Sequence, residues 1–219
     1  MTQTSDLPSD ATSPEDARQR ILRVAAQMFA ERGFHAVSIR DIAAESKVSV
    51  STVLYHAGSK QQLLERILAN SFSAQTPLLH AAARLDPNEI GDREAFFELY
   101  DWFVELLVQQ AVEFPQVRRL WLRLLLDEPT LFLKFDAEYS WPLAQQVIDL
   151  LHKLRDRGIL ASNDDRLRYF VASVDWILDG FFSGGVYESG GCRSDPLATN
   201  EVAKLSTFLK DHGRSFFAE

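Results

Sequence analysis

The sequence predicts an all-α protein with a small N-terminal helical head and a larger helical body. Apolar residues recur at intervals of three and four from residue 21 onward, which is the spacing of a buried helix face. Capping residues, prolines and glycines divide the chain into about nine such helices. No stretch alternates with period two for long enough to be a convincing strand. With 219 residues, of which 46% are hydrophobic, the chain can bury a core without disulfides or metals.

The head is predicted to contain three helices within residues 14–60. Ser13-Pro14 is a strong helix start, and Gly33 ends the first helix. Ser38–Glu45 and Ser49–His56 each form a short helix that begins at a serine able to cap it. The polar residues 1–13 cannot bury an apolar face, and we expect a flexible tail there.

The body, residues 61–219, is predicted to be helical throughout. It opens with the helix that follows Gly58-Ser59-Lys60, and Pro142 is expected to bend or interrupt one of the later helices. The other predicted helices cover residues 92–114, 116–126, 130–157, 163–182 and 195–211.

The net charge of −8 argues against a nucleic-acid partner when the chain is taken as a whole. The charge is unevenly distributed, however. Residues 14–70 carry eight basic and six acidic side chains, a balance of +2, and residues 1–13 carry −2. Residues 71–219 carry fifteen basic and twenty-three acidic side chains, a balance of −8. The acidity therefore belongs mainly to the body, and DNA binding by the head stays open.

The sequence gives no sign of export, of a membrane partner or of a metal. Cys192 is the single cysteine, so an internal disulfide is excluded and a reducing compartment fits. The N-terminus lacks the basic region and apolar core of a signal peptide, and no stretch approaches the roughly 18 apolar residues of a spanning helix. The five histidines are scattered. We expect a cytoplasmic protein with no cofactor and no metal site.

Residues 38–60 carry the most specific pattern. Two short helices joined by a tight connection form the helix-turn-helix pattern, whose second helix enters the major groove of DNA. On spacing alone, an ordinary α-helical hairpin is an equal alternative. The wider segment, residues 21–64, resembles the N-terminal domain of the tetracycline-repressor (TetR) family of bacterial transcription regulators. The residues that carry this resemblance are Ile21, Ala25, Ala26, Phe29, Glu31, Gly33, Phe34, Ser38, Asp41, Ile42, Ala43, Val48, Ser49, Thr52, Tyr55, His56, Ser59, Lys60, Leu63 and Leu64.

The resemblance implies a homodimeric transcription regulator, most often a repressor. Each subunit would have a helix-turn-helix head and a body that binds a small-molecule effector, and effector binding would release a palindromic operator. Two-fold symmetry would place the heads about one helical turn of DNA apart, roughly 34–36 Å.

Carrying the family's roles onto matching positions gives a candidate DNA-binding surface. Ser38 and Arg40 would meet phosphates, Val50, Ser51 and Thr52 would face base edges, and Lys47 could add a contact. Val50 or the Thr52 methyl could read a thymine methyl. Each polar residue also has a structural alternative: Arg40 could pair with a surface acid, and His56 could cap its helix. The full set is Ser38, Arg40, Lys47, Ser49, Val50, Ser51, Thr52, Tyr55, His56 and Lys60.

The sequence departs from the family pattern at three places. The turn commonly carries Ala-Gly where this chain has Ser46-Lys47, and lysine adopts a positive φ less readily than glycine. Leu54 stands where a phosphate-contacting Tyr is frequent, and Ala57 replaces a Phe that packs the head. A weaker or differently tilted recognition helix would follow.

The body holds all four tryptophans and thirteen of the fifteen phenylalanines, which favours a cavity for a flat, apolar ligand. For any single aromatic residue, a place in the core is the competing interpretation. The candidate ligand-binding residues are Trp102, Leu106, Trp121, Leu125, Phe135, Tyr139, Trp141 and Trp176. Acids on otherwise apolar faces, at Asp101, Asp175 and Asp179, could meet a cationic ligand or could pair internally. Arg118, Arg119 and Arg123 are expected to form a solvated face, with an anionic ligand as the alternative.

The last two helices are predicted to form the homodimer interface. Their apolar stripes consist of Val171, Val174, Ile177, Leu178, Phe181 and Phe182 on one helix, and Val202, Leu205, Phe208 and Leu209 on the other. Packing within the subunit is the alternative.

Two other functions compete with that of a DNA-binding regulator. The sequence contains no H-E-x-x-H, no G-x-S-x-G and no phosphate-binding loop, so we expect no enzyme. A protein-binding adaptor that keeps the fold, with reduced or no operator binding, is the more serious alternative, because of the acidic body and the altered Leu54 and Ala57.

Overall fold

The computed structural model describes residues 14–73, 85–161 and 163–217. Residues 1–13, for which the sequence predicts a flexible tail, lie outside the described residues. The chain divides into two compact units, one ending at Ile67 and the other beginning at Leu68. The sequence predicts this limit at residue 60.

The described residues fold into ten α-helices, two of which are joined by a π-helical turn, Asp136–Ser140, so that nine helical runs result. The only extended pairing among them is an isolated bridge between Tyr187 and Arg193. The predicted all-α fold is therefore confirmed. The helices are α1 Pro14–Arg32, α2 Ile39–Glu45, α3 Val50–Ala57, α4 Lys60–Ser73, α5 Arg93–Glu113, α6 Pro115–Asp127, α7 Pro129–Phe135, α8 Trp141–Asp156, α9 Asp164–Gly184 and α10 Thr199–Phe216.

Four helix starts follow from capping residues that the sequence shows. Ser38, Ser49, Asp92 and Asn163 each accept a hydrogen bond from a backbone N–H in the first turn of the helix that follows. The predicted interruption at Pro142 is also present. Proline lacks the N–H that would continue the hydrogen-bond ladder, and the π-helical turn lies directly before the helix that contains it.

The last helix begins and ends later than the sequence predicts. Asp195 and Pro196 form a turn before the helix, in which the Asp195 carboxylate accepts the N–H of Leu197 at 3.0 Å. The helix then continues through Gly213 to Phe216. The absence of a side chain at Gly213 leaves room for the ring of Tyr100, with which a Cβ at this position would collide.

The first unit has a small core of its own. Helices α1 to α4 bury their apolar faces against one another, and the residues with the least exposure are Ile21, Phe29, Ile42, Val53, Leu63 and Leu64. Ala57 is buried as well, so the head packs around the smaller side chain at this position.

The second unit is organised around an aromatic core. Tyr100 and Phe96 of α5 pack with Phe170 of α9 and Phe217, at ring-centre distances between 5.4 and 6.2 Å. The Tyr100 hydroxyl donates to the carbonyl of Leu209 at 2.8 Å, which joins α5 to α10.

The apolar stripes predicted for dimer contacts lie mostly inside this core. The buried members are Val174, Leu178, Phe181, Phe182, Leu205 and Leu209, and Val171, Ile177 and Val202 pack against them partly buried. Of the predicted stripes, Phe208 remains exposed. For these residues packing within the subunit is therefore the correct interpretation.

Candidate nucleic-acid interface and ligand cavity

The recognition helix, α3, begins with a compact set of hydroxyl groups. The Oγ of Ser49 accepts the backbone N–H of Thr52 at 3.1 Å and lies 2.7 Å from the hydroxyl oxygens of both Ser51 and Thr52. These bonds fix the first turn of the helix, whose small side chains allow close approach to a double helix. Ser49, Val50 and Ser51 are exposed there, and Thr52 is half-buried.

The turn before this helix contains the one non-glycine residue with a positive φ among the described residues, Lys47, at 55°. Lys47 thus adopts the left-handed conformation at a position where the family commonly has glycine. The turn is held by the Lys47 N–H, which donates to Ala44, and by Nε of Arg20 on α1, which donates to the Ser46 carbonyl at 3.0 Å. The hydroxyl of Ser46 is buried without a hydrogen-bond partner among the described residues.

Two of the predicted phosphate-contacting side chains are free to reach DNA. Arg40 and Lys47 are both exposed, and neither makes a hydrogen bond or ion pair through its side chain with another described residue. The alternative that Arg40 pairs with a surface acid is therefore not seen within the described part of the chain. Tyr55 is 85% exposed, with His56 half-buried against the edge of its ring.

Two other predicted contacts are already engaged within the head. The N–H and hydroxyl of Ser38 both donate to the carboxylate of Asp41, at 2.8 and 2.6 Å. These bonds lower the pKa of Asp41, so a negative charge occupies the start of α2. Lys60 donates to the carbonyl of Phe34 at 2.9 Å and lies 4.3 Å from the centre of that ring. A structural role for Ser38 and Lys60 is therefore visible in the molecule itself.

The second unit contains a cavity of about 320 Å³. Helices α5, α6, α8 and α9 form most of its wall, with Phe72 of α4 and Phe132 of α7 completing it. Trp121 packs against both, with ring centres 5.6 Å from Phe72 and 4.9 Å from Phe132. The wall is therefore apolar and aromatic, as expected of a small-molecule site.

The cavity has a charged side. Arg118 of α6 donates to the Asp179 carboxylate at 3.0 Å and lies 3.7 Å from a carboxylate oxygen of Asp175. Asp136, in the π-helical turn, also lines the cavity. Burial raises the pKa of Asp179 to about 6, against the opposing effect of Arg118, and it also raises the pKa values of Asp175 and Asp136.

Half of the residues predicted for ligand binding line this cavity, namely Trp102, Trp121, Leu125 and Trp176. The other half lie elsewhere. Leu106 packs against the core, Phe135 is fully buried, Trp141 is 53% exposed, and Tyr139 stacks on Phe72 behind the cavity wall. Among the acids considered, Asp175 and Asp179 face the cavity, whereas Asp101 is bound by both terminal nitrogens of Arg214.

Sequence reasoning missed two charged residues of the cavity. Arg118 was expected on a solvated face, but it lies one helical turn before Trp121 and shares its buried side. Asp136 follows Phe132 by four residues, and Ser140 follows by four more, so the three share a face. Helical spacing from Trp121 and from Phe132 was the signal that could have found both.

Residues 21–67 match the family model described as bacterial regulatory proteins, tetR family. The HTH-type transcriptional repressor Rv3405c of Mycobacterium tuberculosis is 45% identical over 75 residues, which cover 34% of this chain and 40% of that protein. The HTH-type transcriptional repressor KstR2 of Mycolicibacterium smegmatis is 36% identical over 61 residues, 28% of this chain and 30% of its own length. The sequence likeness to these relatives thus spans less than half of their length.

Solved structures resemble almost the whole chain in fold. PfmR, a TetR family transcriptional regulator from Thermus thermophilus, has a TM-score of 0.65 at 19% identity and covers 91% of this chain and 97% of its own. A transcriptional regulator from Saccharomonospora viridis, solved in complex with choline, has a TM-score of 0.57 at 24% identity over 90% of this chain and 95% of its own. None of the described helices is long and apolar enough to cross a membrane.

Proposed function

This chain belongs to the TetR family of bacterial regulatory proteins, and on that premise we propose that it is a repressor controlled by a small molecule. It binds a palindromic operator as a homodimer in the cytoplasm and leaves it when an effector occupies the cavity of the second unit. The observation that carries the proposal is the capped, exposed recognition helix in a head that matches the family across residues 21–67.

Arg40 and Lys47 supply the phosphate contacts, because both are exposed cations with no partner among the described residues. Tyr55 adds a further contact. Val50, Ser51 and Thr52 face the base edges; the Thr52 hydroxyl is held by Ser49, which leaves its methyl group for a thymine methyl. The proposed DNA interface also includes Ser38, Ser49, His56 and Lys60. Two of these, Ser38 and Lys60, make hydrogen bonds within the head as well, to Asp41 and to the carbonyl of Phe34.

The homodimer forms through α9 and α10. A palindromic operator has two-fold symmetry, so the two subunits that bind it must be related by the same symmetry. The contact face differs from the predicted apolar stripes, since most of those residues are in the subunit core. Large exposed apolar side chains outside the cavity lining remain on both helices, at Tyr169 of α9 and Phe208 of α10. These are the proposed dimer contacts.

The cavity is the proposed effector site, because a concave site of about 320 Å³ with a mostly apolar, aromatic wall and a few charged groups is typical of a small-molecule site. The choline complex of the Saccharomonospora viridis regulator supports a small-molecule site in this fold. Its proposed contacts include Trp102, Trp121, Leu125 and Trp176.

A mobility-shift titration with the DNA upstream of the protein's own gene tests this function. We expect a sequence-specific complex whose affinity falls steeply with salt. Arg40→Ala should weaken binding and lower the salt slope by about one. Arg23→Ala is the matched control, since it removes the same charge from an exposed position on α1 and should leave the slope unchanged. If no salt-sensitive specific complex forms, the protein is better explained as an adaptor.

A further inference from the structure

We propose that the effector is an organic cation, held between the tryptophan rings and the carboxylates of the cavity. This inference rests on the proposed function, since it assigns a ligand chemistry to the same cavity. Three observations carry it: the charge balance of the wall, the arrangement of its aromatic rings and the size of the cavity.

The wall carries more negative than positive charge. Asp136, Asp175 and Asp179 line the cavity, and Arg118 is the only basic residue among the described lining residues. The geometry of Arg118 assigns it mainly to Asp179, whose side chain is 8% exposed and 3.0 Å away. Asp175 lies farther from the guanidinium, at 3.7 Å, and 54% of its side chain stays accessible. Asp179 and Asp175 thus share one guanidinium, and the wall carries three carboxylates against a single basic side chain.

The electrostatics of the site point in the same direction. The carboxyls of Asp136 and Asp175 have raised pKa values, mainly because the surrounding protein removes part of their hydration, although Asp175 stays open to the cavity, and Asp175 adds to the effect on Asp136 by repulsion. A bound cation removes this penalty, because it supplies the missing opposite charge where water is displaced. An anionic ligand would add to it.

The remaining wall selects the type of cation. Indole faces attract cations through their quadrupole, and Trp102, Trp121 and Trp176 all contribute to the lining. A small inorganic ion would lose its hydration shell to these rings without an oxygen cage in return, and no group of three metal-ligating side chains occurs among the described residues. A quaternary or substituted amine, ideally with an attached ring, matches both the charge and the volume of about 320 Å³.

Three probes of similar shape and different charge test the inference by calorimetry on the full chain. Benzyltrimethylammonium is the cation, neopentylbenzene is its neutral carbon isostere, and phenylacetate is the anion. We expect the cation to bind about tenfold more tightly than the neutral isostere, and phenylacetate to bind most weakly.

Asp175→Asn separates charge from shape, because it keeps the side-chain size and removes one carboxylate charge. We expect the cation's advantage over neopentylbenzene to fall about fivefold or more, with the affinity for neopentylbenzene unchanged as evidence of an intact cavity. Asp165→Asn is the control: it removes the same charge from the same helix at a side chain that is 78% exposed and outside the cavity lining. That variant should keep the preference.

The inference is overturned if neopentylbenzene or phenylacetate binds as tightly as the cation, if the cation does not bind, or if Asp175→Asn keeps the full preference. Binding of the neutral or anionic probe would leave the effector cavity standing with a different ligand class. The proposed repressor function has its own readout in the operator titration. A specific DNA complex without cation binding would show that the ligand class is wrong. Cation binding without a specific DNA complex would show that the repressor function is wrong.

Discussion

Replacing Lys47 by glycine should stabilise the head, whereas replacing it by alanine should not. Lys47 adopts a φ of 55°, a region that costs a residue with a side chain about 1–2 kcal/mol. Glycine removes that cost but gains freedom in the unfolded chain worth roughly 0.5–1 kcal/mol relative to alanine. The net expectation is that the glycine variant exceeds the alanine variant in the free energy of unfolding by about 1 kcal/mol.

The comparison of these two variants isolates the backbone, because both remove the same exposed charge from the turn. The measurement must report on the head alone, and all four tryptophans lie in the body, at residues 102, 121, 141 and 176. Amide hydrogen exchange of α2 and α3 supplies such a readout. A difference of about 1 kcal/mol appears as a roughly fivefold greater protection in the glycine variant.

Equal protection in the two variants would refute the strain argument. DNA binding gives a second, independent result from the same pair. If Lys47 contacts a phosphate, both variants lower the salt slope by about one, and they do so equally. A change in slope that differed between glycine and alanine would mean that the turn conformation, rather than the lysine charge, governs the contact.

Three further predictions concern buried groups. Ser46→Ala should stabilise the head by about 1 kcal/mol in the same exchange measurement, because it removes a buried hydroxyl without a partner; a loss of protection would contradict this. Gly213→Ala should lower the free energy of unfolding of the body by about 2 kcal/mol or more in urea, since the new Cβ collides with the Tyr100 ring; no change in the midpoint would show that the ring can move away. The raised pKa of Asp179, about 6, means that the folded state holds its proton more tightly than the unfolded state, whose value is near 3.8. Its stabilising contribution is present below pH 4 and is lost as pH rises through 6, so the stability of the parent chain relative to Asp179→Asn should fall between pH 4 and 7. A pH-independent difference would argue against a raised pKa.

The sequence was most informative where a local rule sets the structure. Ser38 and Ser49 cap the helices predicted for them, and Lys47 takes the positive φ that the usual glycine of the turn implies. These features depend on a few neighbouring residues, so they can be deduced without the fold. The late start of α10 shows the limit, since Asp195-Pro196 is also a good turn and only the surrounding structure selects it.

The cavity could be predicted only in part because amphipathic spacing does not distinguish a core from a cavity wall. Trp121 and Phe135 both lie on apolar helix faces, yet one lines the cavity and the other is fully buried. The apolar stripe of α9 gave the same ambiguity, since Leu178 packs inside the subunit while Trp176 is exposed. Tertiary packing decides which helix faces contact each other, and the spacing of apolar residues along the sequence does not predict those contacts.

The distribution of charge sets a further condition on DNA binding. A balance of +2 over residues 14–70 gives the head only a modest attraction for phosphates, so the proposed function would need two heads on one operator for tight binding at physiological salt. In that function, the −8 of residues 71–219 would repel DNA from the body and so favour contact through the heads. Part of that negative charge faces the cavity, at Asp136, Asp175 and Asp179, where it has no role in DNA repulsion. Its retention among apolar residues costs stability unless a ligand compensates it, which is the reason to look for a cation there first.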